Sequence, residues 1–255
     1  MSERRRTRGA FLTAEWRYLV MLNYEVERDT LEPLVPAGTS LDLWQGRALV
    51  SVVGFRFLRT RVLGVPVPFH RDFDEVNLRF YVRHVTSAGE VRRGVVFVRE
   101  LVPRTAIAVV ARVAYNEPYL AVPMRSDAPA AATDAPGRIA YEWRTGGVWQ
   151  HVRATAVGAP ARPHPDSEAA FVTEHYWGYT RQRDGGTIQY AVEHPPWQVW
   201  ATADRDLAVD VRRLYGERFE RPLAREPVSA FVADGSPVVV RRPERLQVAR
   251  VGAAS

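Results

Sequence analysis

The chain has no cysteine and no lysine. The first absence excludes disulfides, thiolate metal sites and cysteine nucleophiles together. The second makes all 35 basic residues arginine. No side-chain amine can then form a Schiff base, and no P-loop lysine can hold a nucleotide phosphate. Long apolar runs are missing too: none approaches the ~18–20 residues of a membrane span. The basic start, Arg4–Arg6 and Arg8, is followed by Glu15 and Arg17, which interrupt the apolar stretch a signal peptide requires. A cytoplasmic protein with no membrane contact is expected. No G-x-G-x-x-G, G-x-S-x-G or H-E-x-x-H pattern occurs, so dinucleotide binding, that kind of hydrolase and a helical zinc site lack support.

What is present is an ordinary globular composition, 46 % apolar and 25 % charged over 255 residues, enough for one large domain or two small ones. The net charge is +6. Residues 1–8 and residues 241–255 each hold four Arg and one Glu, +3 apiece, which leaves the body neutral. A nucleic-acid domain places its basic residues on a folded face. Basic tails argue against a nucleic-acid partner, and association through the tails is the form such binding would take.

Read in order, the chain is a basic tail (1–10), a body (11–242) and a C-terminal tail (243–255). Strands are predicted at Trp16–Val26, Ser40–Trp44, Ala48–Leu58 and Val91–Val102 from apolar alternation between turn residues. Gly54 inside the third suggests a bulge or a close approach. A short helical turn follows Asp29, and a helix is predicted within Pro103–Asn116. Residues 125–137, rich in Ala, Pro and Asp, read as an exposed connector. Beyond it come strands at Arg138–Arg144 and Val148–Val157, and a helix capped by Asp166 or Ser167. Asp184-Gly185-Gly186 marks a hairpin of Trp177–Arg183 and Thr187–Glu193. A strand at Trp197–Ala203 comes next, and 206–215 fits strand or helix. A last hairpin of Pro227–Ala233 and Pro237–Arg241 turns at Asp234-Gly235-Ser236. The class is α+β and β-rich.

The stretch Val65–Arg83, VPVPFHRDFDEVNLRFYVR, carries most of the chemistry. Val76, Leu78, Phe80 and Val82 share one strand face, with Glu75, Asn77, Arg79, Tyr81 and Arg83 on the other. Such a strand is either half-buried with a wet outer face, the commoner arrangement, or the wall of a polar pocket. His70, Asp72, Asp74 and Glu75 invite a metal reading, but their spacing matches no recognised ligand set, so none is assigned. The role of His70, Asp72 and Asp74 stays open. The block Glu174–Tyr179 combines His175, Tyr176, Trp177 and Tyr179. It reads first as core, and alternatively as a pocket wall of His175, Tyr179 and Arg181 opposite Glu75. His194, before two prolines, reads as a turn residue.

Three blocks then carry a resemblance: EWRYLVMLNYEVERDTLEPLVPAGTSLDLW, PFHRDFDEVNLRFYVR, and FVTEHYWGYTRQRDGG with the following VEHPPWQVW. They resemble the YqjF-like family of uncharacterised bacterial proteins over roughly Trp16 to Arg242. That family in turn is similar to acetoacetate decarboxylase. The resemblance implies a strongly curved, mostly antiparallel sheet closing around a pocket, with a few short helices and one domain over 11–242. It also carries Arg17, seven residues before Tyr24-Glu25, and Glu75, two after Phe73, onto the decarboxylase's pocket positions. The decarboxylase's two lysines fall on Tyr115–Tyr119, where this chain has none, so the Schiff-base route is excluded.

The expectation is a small-molecule pocket without a cofactor. Glu75 and Arg17 are the candidate catalytic pair. Asn77, Arg79, Tyr119, His175 and Tyr179 are candidate binding residues. The ligand expected is a small organic acid held through its carboxylate. A non-catalytic binding or sensor protein is the alternative, and a homo-oligomer is left open.

Overall fold

The computed structural model describes residues 9–66, 71–103, 116–129 and 136–247. Among them run β1 (Ala10–Val26), β2 (Ser40–Leu41), β3 (Ala48–Val62), β4 (Val65–Pro66), β5 (Phe73–Val85), β6 (Val91–Val102), β7 (Tyr119–Ala121), β8 (Met124–Ser126), β9 (Arg138–Thr145) and β10 (Val148–Ala161). They continue as β11 (Trp177–Arg181), β12 (Thr187–Glu193), β13 (Val199–Ala208), β14 (Ser229–Arg241) and β15 (Glu244–Arg245). The helices are short: α1 (Arg28–Leu31), α2 (Glu168–Thr173), α3 (Val211–Leu214) and α4 (Glu220–Leu223).

All the strands belong to one sheet, mostly antiparallel, with parallel pairings at β6–β7 and β6–β11. Its order β12-β11-β6-β5-β3-β1-β14 closes on itself, because Val192 and Glu193 of β12 pair with Val240 and Val239 of β14. The curved sheet is thus a closed ring. From β14 it continues outward as β13-β10-β9-β8.

This arrangement gives each ring strand two buried faces. One face packs against the outer strands: Val76, Leu78, Phe80 and Val82 of β5 meet Tyr141, Trp143 and Val152 in one core cluster. Gly54 of β3 lies on this face, and a Cβ there would stand 2.6 Å from Tyr141 and 2.8 Å from Val152, a close approach that only glycine permits. The other face looks into the ring, where Leu19, Phe55, Phe57, Phe73 and Val95 form a second cluster. Two bulges keep that face continuous. In β1 the register slips between Arg17 and Val20, with Tyr18 at φ 53°, so Trp16 and Leu19 both face inward. In β6 the pairs Asn77↔Glu100 and Arg79↔Phe97 leave one extra residue, so Phe97 and Glu100 both face inward.

Several expectations change. The last hairpin is one continuous strand: β14 runs through Asp234-Gly235-Ser236 without turning, held between β1 and β13. Gly235 at φ 77° absorbs the kink opposite Arg17. The connector begins as strand β8, paired with β9, and Ala128 is buried; residues 130–135 lie outside the described residues. Residues 206–215 are both strand and helix, changing at Asp210, whose side chain caps α3. The helix expected within Pro103–Asn116 falls almost wholly outside the described residues.

Candidate functional site

The ring encloses a cavity of about 190 Å³. Much of its wall is aromatic. Trp16 meets Phe55 edge-on at 5.4 Å, and Phe57 stacks on Phe73 at 4.5 Å. His194 stacks on Trp197 at 4.2 Å. It therefore lines the cavity and is not simply a turn residue.

Polar groups enter at two places, set by the order of residues along β5. At one end Glu75 and Asn77 face inward. Register brings Glu100 of β6 opposite Asn77, and Tyr119 of β7 opposite Glu100. Glu117 lies two residues before Tyr119. The three carboxyls are buried, with Glu75, Glu100 and Glu117 exposing 2 %, 1 % and 6 %. Asn77 Nδ2 donates to Glu75 Oε1 at 3.0 Å, and the Tyr119 hydroxyl donates to Oε2 at 3.4 Å. The Tyr190 and Thr180 hydroxyls donate to Glu117. None of the three carboxyls forms an ion pair with an arginine among the described residues.

Burial without a cationic partner disfavours the ionised form. It pushes Glu75 up to about 8 and Glu117 up to about 7, and holds Glu100 well above the usual carboxylate range. The carboxyls also raise one another: Glu117 acts on both Glu75 and Glu100.

At the other end stand Arg79 and His175. Arg79 Nη2 donates to the Val172 carbonyl at 3.2 Å, and the guanidinium lies 5.8 Å from the Tyr81 ring centre. His175 shares Asp42 with Arg93: its Nε2 is 3.0 Å from Oδ2, and Arg93 Nε donates to the same oxygen at 2.6 Å. Burial pushes His175 down to about 4, so the ring is neutral near pH 7. Asp42 then accepts from Nε2–H, which leaves Nδ1 as an acceptor.

Several buried polar atoms on this wall have no hydrogen-bond partner among the described residues: Asn77 Oδ1, Glu100 Oε2, Arg79 Nε, His175 Nδ1, Thr60 Oγ1 and Trp16 Nε1. Such atoms are uncommon in folded interiors, where an unmet group costs roughly 1–3 kcal/mol. Their concentration around one cavity suits a site completed by a ligand.

Of the residues singled out in the sequence, Glu75, Asn77, Arg79, Tyr119 and His175 line this cavity. Arg17 does not. Strand alternation puts it on the face of Glu15, opposite Trp16, where it donates to Glu15 Oε2 at 3.0 Å and to the Gly235 carbonyl at 3.3 Å. Tyr179 is also outside. It packs in the outer cluster and donates to the Arg92 carbonyl at 3.2 Å, while Gly178 and Thr180 hold the inward face of β11. Arg181 donates to the Val35 carbonyl at the surface. Asp74 pairs with Arg56, and Asp72 accepts from the Arg59 amide; His70 lies outside the described residues. Among the described residues no cluster of three His, Asp or Glu could hold a metal ion.

Glu100, Glu117 and Tyr190 escaped the sequence reading. The bulge in β6 is what puts Glu100 inside; plain alternation from inward-facing Phe97 would place it on the opposite face. Glu117, followed by Pro118, looks like a helix terminator. The available signal was a lone glutamate within the apolar run VVFVRELV.

Residues 13–237 match the DUF2071 family, described as an uncharacterized conserved protein. The chain is 27 % identical over 198 residues to the uncharacterized protein YqjF of Bacillus subtilis (strain 168), covering 76 % of this chain and 77 % of YqjF. Acetoacetate decarboxylase from Legionella pneumophila superposes with a TM-score of 0.63 at 13 % identity, over 92 % of this chain and 87 % of its own. The enduracididine biosynthesis enzyme MppR, complexed with pyruvate, superposes with a TM-score of 0.62 at 12 % identity, over 92 % and 90 %. At such identities the likeness is one of fold.

Proposed function

The chain belongs to the DUF2071 family, and from that premise we propose that it binds a small organic acid inside the ring and exchanges a proton with it. Arg79 takes the carboxylate and Glu75 is the acid or base. The observation that carries this is the state of Arg79: a buried guanidinium with Nε unpartnered and no carboxylate paired to it among the described residues. A buried cation without a counter-charge is costly, and an anionic ligand supplies one. Glu75 does not supply it, because near neutral pH it is largely protonated.

A carboxyl that titrates close to neutrality suits general acid–base work, since both of its forms are populated. The remaining wall is apolar and aromatic, which excludes water and suits a small carbon skeleton. Within this fold MppR has been found complexed with pyruvate. No imine is involved here, since the chain has no lysine.

The test is calorimetric titration with pyruvate, acetoacetate and pentanoate, followed by NMR of hydrogen exchange at the carbon beside the carbonyl in D₂O. Binding is expected for at least one acid, weakened about tenfold or more by Arg79→Met, as for a lost charge-assisted contact. Glu75→Gln should keep binding and abolish exchange. Binding with no exchange in the parent protein leaves a non-catalytic binding protein. Absence of binding by any acid overturns the proposal.

A further inference from the structure

The acid end of the cavity faces the ligand with acceptors and without a cation. Glu75, Glu100 and Glu117 come from different elements, yet sheet register brings them to one place. Their partners are neutral donors: the Asn77 amide and the Tyr119, Thr180 and Tyr190 hydroxyls. Arg79 belongs to the other end, turned toward the Val172 carbonyl and Tyr81.

Asn77 supplies an independent observation. It exposes 1 % of its surface, and its Nδ2 is committed to Glu75. Its Oδ1, which can only accept, has no donor among the described residues. Glu100 Oε2 is likewise unmatched. An incoming group that meets both must carry more than one hydrogen, and beside three carboxyls a positive charge is favoured. A protonated amine offers three N–H donors and that charge. The aromatic rings of the wall suit it as well.

We propose that the ligand of this cavity is an amino acid in the broad sense, with its ammonium among Glu75, Glu100, Glu117 and Asn77 and its carboxylate on Arg79. This rests on the carboxylate reading given above and deepens it. Residues 75 and 79 of an extended strand are roughly 13 Å apart at Cα. The two charges of the ligand are therefore separated by several bonds, unlike those of an α-amino acid.

Protons follow the ligand. Glu75 and Glu117 are largely or partly protonated near neutral pH because burial disfavours their charged forms and no arginine among the described residues forms an ion pair with either. An arriving ammonium favours their ionised forms, so binding releases protons to solvent. The other titratable groups on the wall are Arg79 on β5, Tyr119 on β7, Tyr190 on β12, and His175 and His194 beside β11 and β12. Both histidines are pushed down to about 4 by burial and stay neutral in this range.

The test compares 5-aminopentanoate, pentanoate and pentylamine by calorimetry at pH 7, in two buffers of different ionisation enthalpy. The expected result is that 5-aminopentanoate binds about tenfold tighter than pentanoate, a difference of ~1.4 kcal/mol, and alone of the two acids releases protons. Glu100→Gln should erase that preference, with Glu75→Gln as the second variant should the first fail to fold. If pentanoate binds as tightly as 5-aminopentanoate, the ammonium proposal is overturned while the carboxylate reading stands. If pentylamine binds and both acids fail, the carboxylate reading falls and the acid end alone is supported. If none of the three binds, both readings are wrong for ligands of this class.

Discussion

Glu75 and Arg79 stand on the same inward face of β5 and do not pair. Glu75 takes the Asn77 amide, and Arg79 takes the Val172 carbonyl. An acid and a cation on one strand face are left without a direct ion pair, and the guanidinium's charge offsets only part of what burial does to the carboxyl. The site's chemistry and its cost to stability both follow.

The cost is visible in pH. Glu75, Glu117 and Glu100 have folded-state pKa values raised above the carboxylate range, the first two to about 8 and about 7. The stability tied to their protonated forms is full below the unfolded-state value of ~4.3 and is lost as pH rises through the folded values. His175 and His194 act oppositely: both are lowered to about 4, and what they contribute is lost as pH falls below ~6.5. Above that value only the carboxyls count. Stability should therefore fall from pH 6.5 to 8, by up to about 1.4 kcal/mol per pH unit for each group. Urea denaturation at half-unit intervals measures it, and Glu100→Gln should flatten the slope. A stability that is flat or rises across that window would show that these carboxyls are ionised in the folded protein.

Arg17 supplies a second prediction, contrary to the sequence expectation that it works with Glu75. Its side chain is 24 % exposed and sits against Glu15, outside the cavity. Arg17→Met should leave the affinity for an organic acid unchanged and cost less than ~1 kcal/mol of stability, as for other partly exposed ion pairs. In a double-mutant cycle with Glu75→Gln the effects on binding should add. Measured coupling would put the guanidinium within reach of the ligand.

The contrast between these residues marks what a sequence can reveal. Glu75, Asn77 and Arg79 were legible because β5 alternates without interruption from Phe73 to Phe80, and period two assigns the faces. Glu100 was not, because it lies beyond a bulge, and one extra residue reverses every face beyond it. The resemblance assigns Arg17 to the pocket, although alternation with inward-facing Trp16 puts it on the outer face. Tyr179 failed for a subtler reason. Both faces of β11 are buried, so hydrophobicity alone does not say which one meets the cavity, and small Gly178 marked the inward face. Closure of the ring was invisible to local pattern, since it depends on Val192 meeting Val240.

Gly178 gives a third prediction. A Cβ there would collide with the Tyr190 phenol, which donates to Glu117. Gly178→Ala should cost about 1–3 kcal/mol through overpacking. It should also displace the phenol and raise the Glu117 pKa further, because that donor stabilises the carboxylate. Carboxyl titration by ¹³C NMR reads the shift. Thr180→Val removes only the donor at 3.4 Å without crowding the ring, and should move Glu117 less. An unshifted Glu117 in Gly178→Ala would mean that the phenol is not its main donor.

The last prediction concerns the ring as a unit. β1 pairs with β14 from Ala10↔Arg241 to Asn23↔Ser229, and β6 pairs with β11. The cavity wall thus draws on strands from both ends of the chain: Glu75 and Arg79 from one half, His175 and Tyr190 from the other. Cutting the chain between residues 129 and 136 removes a covalent link but none of these pairings. Expressed alone, segments 1–129 and 136–255 should each expose unpaired strand edges and fail to show a cooperative melt. Expressed together, they should purify as one complex with a single transition, and only that complex should bind an organic acid. Two segments that melt cooperatively on their own would make the chain two domains, and the cavity would then be an interface between them rather than the interior of one fold.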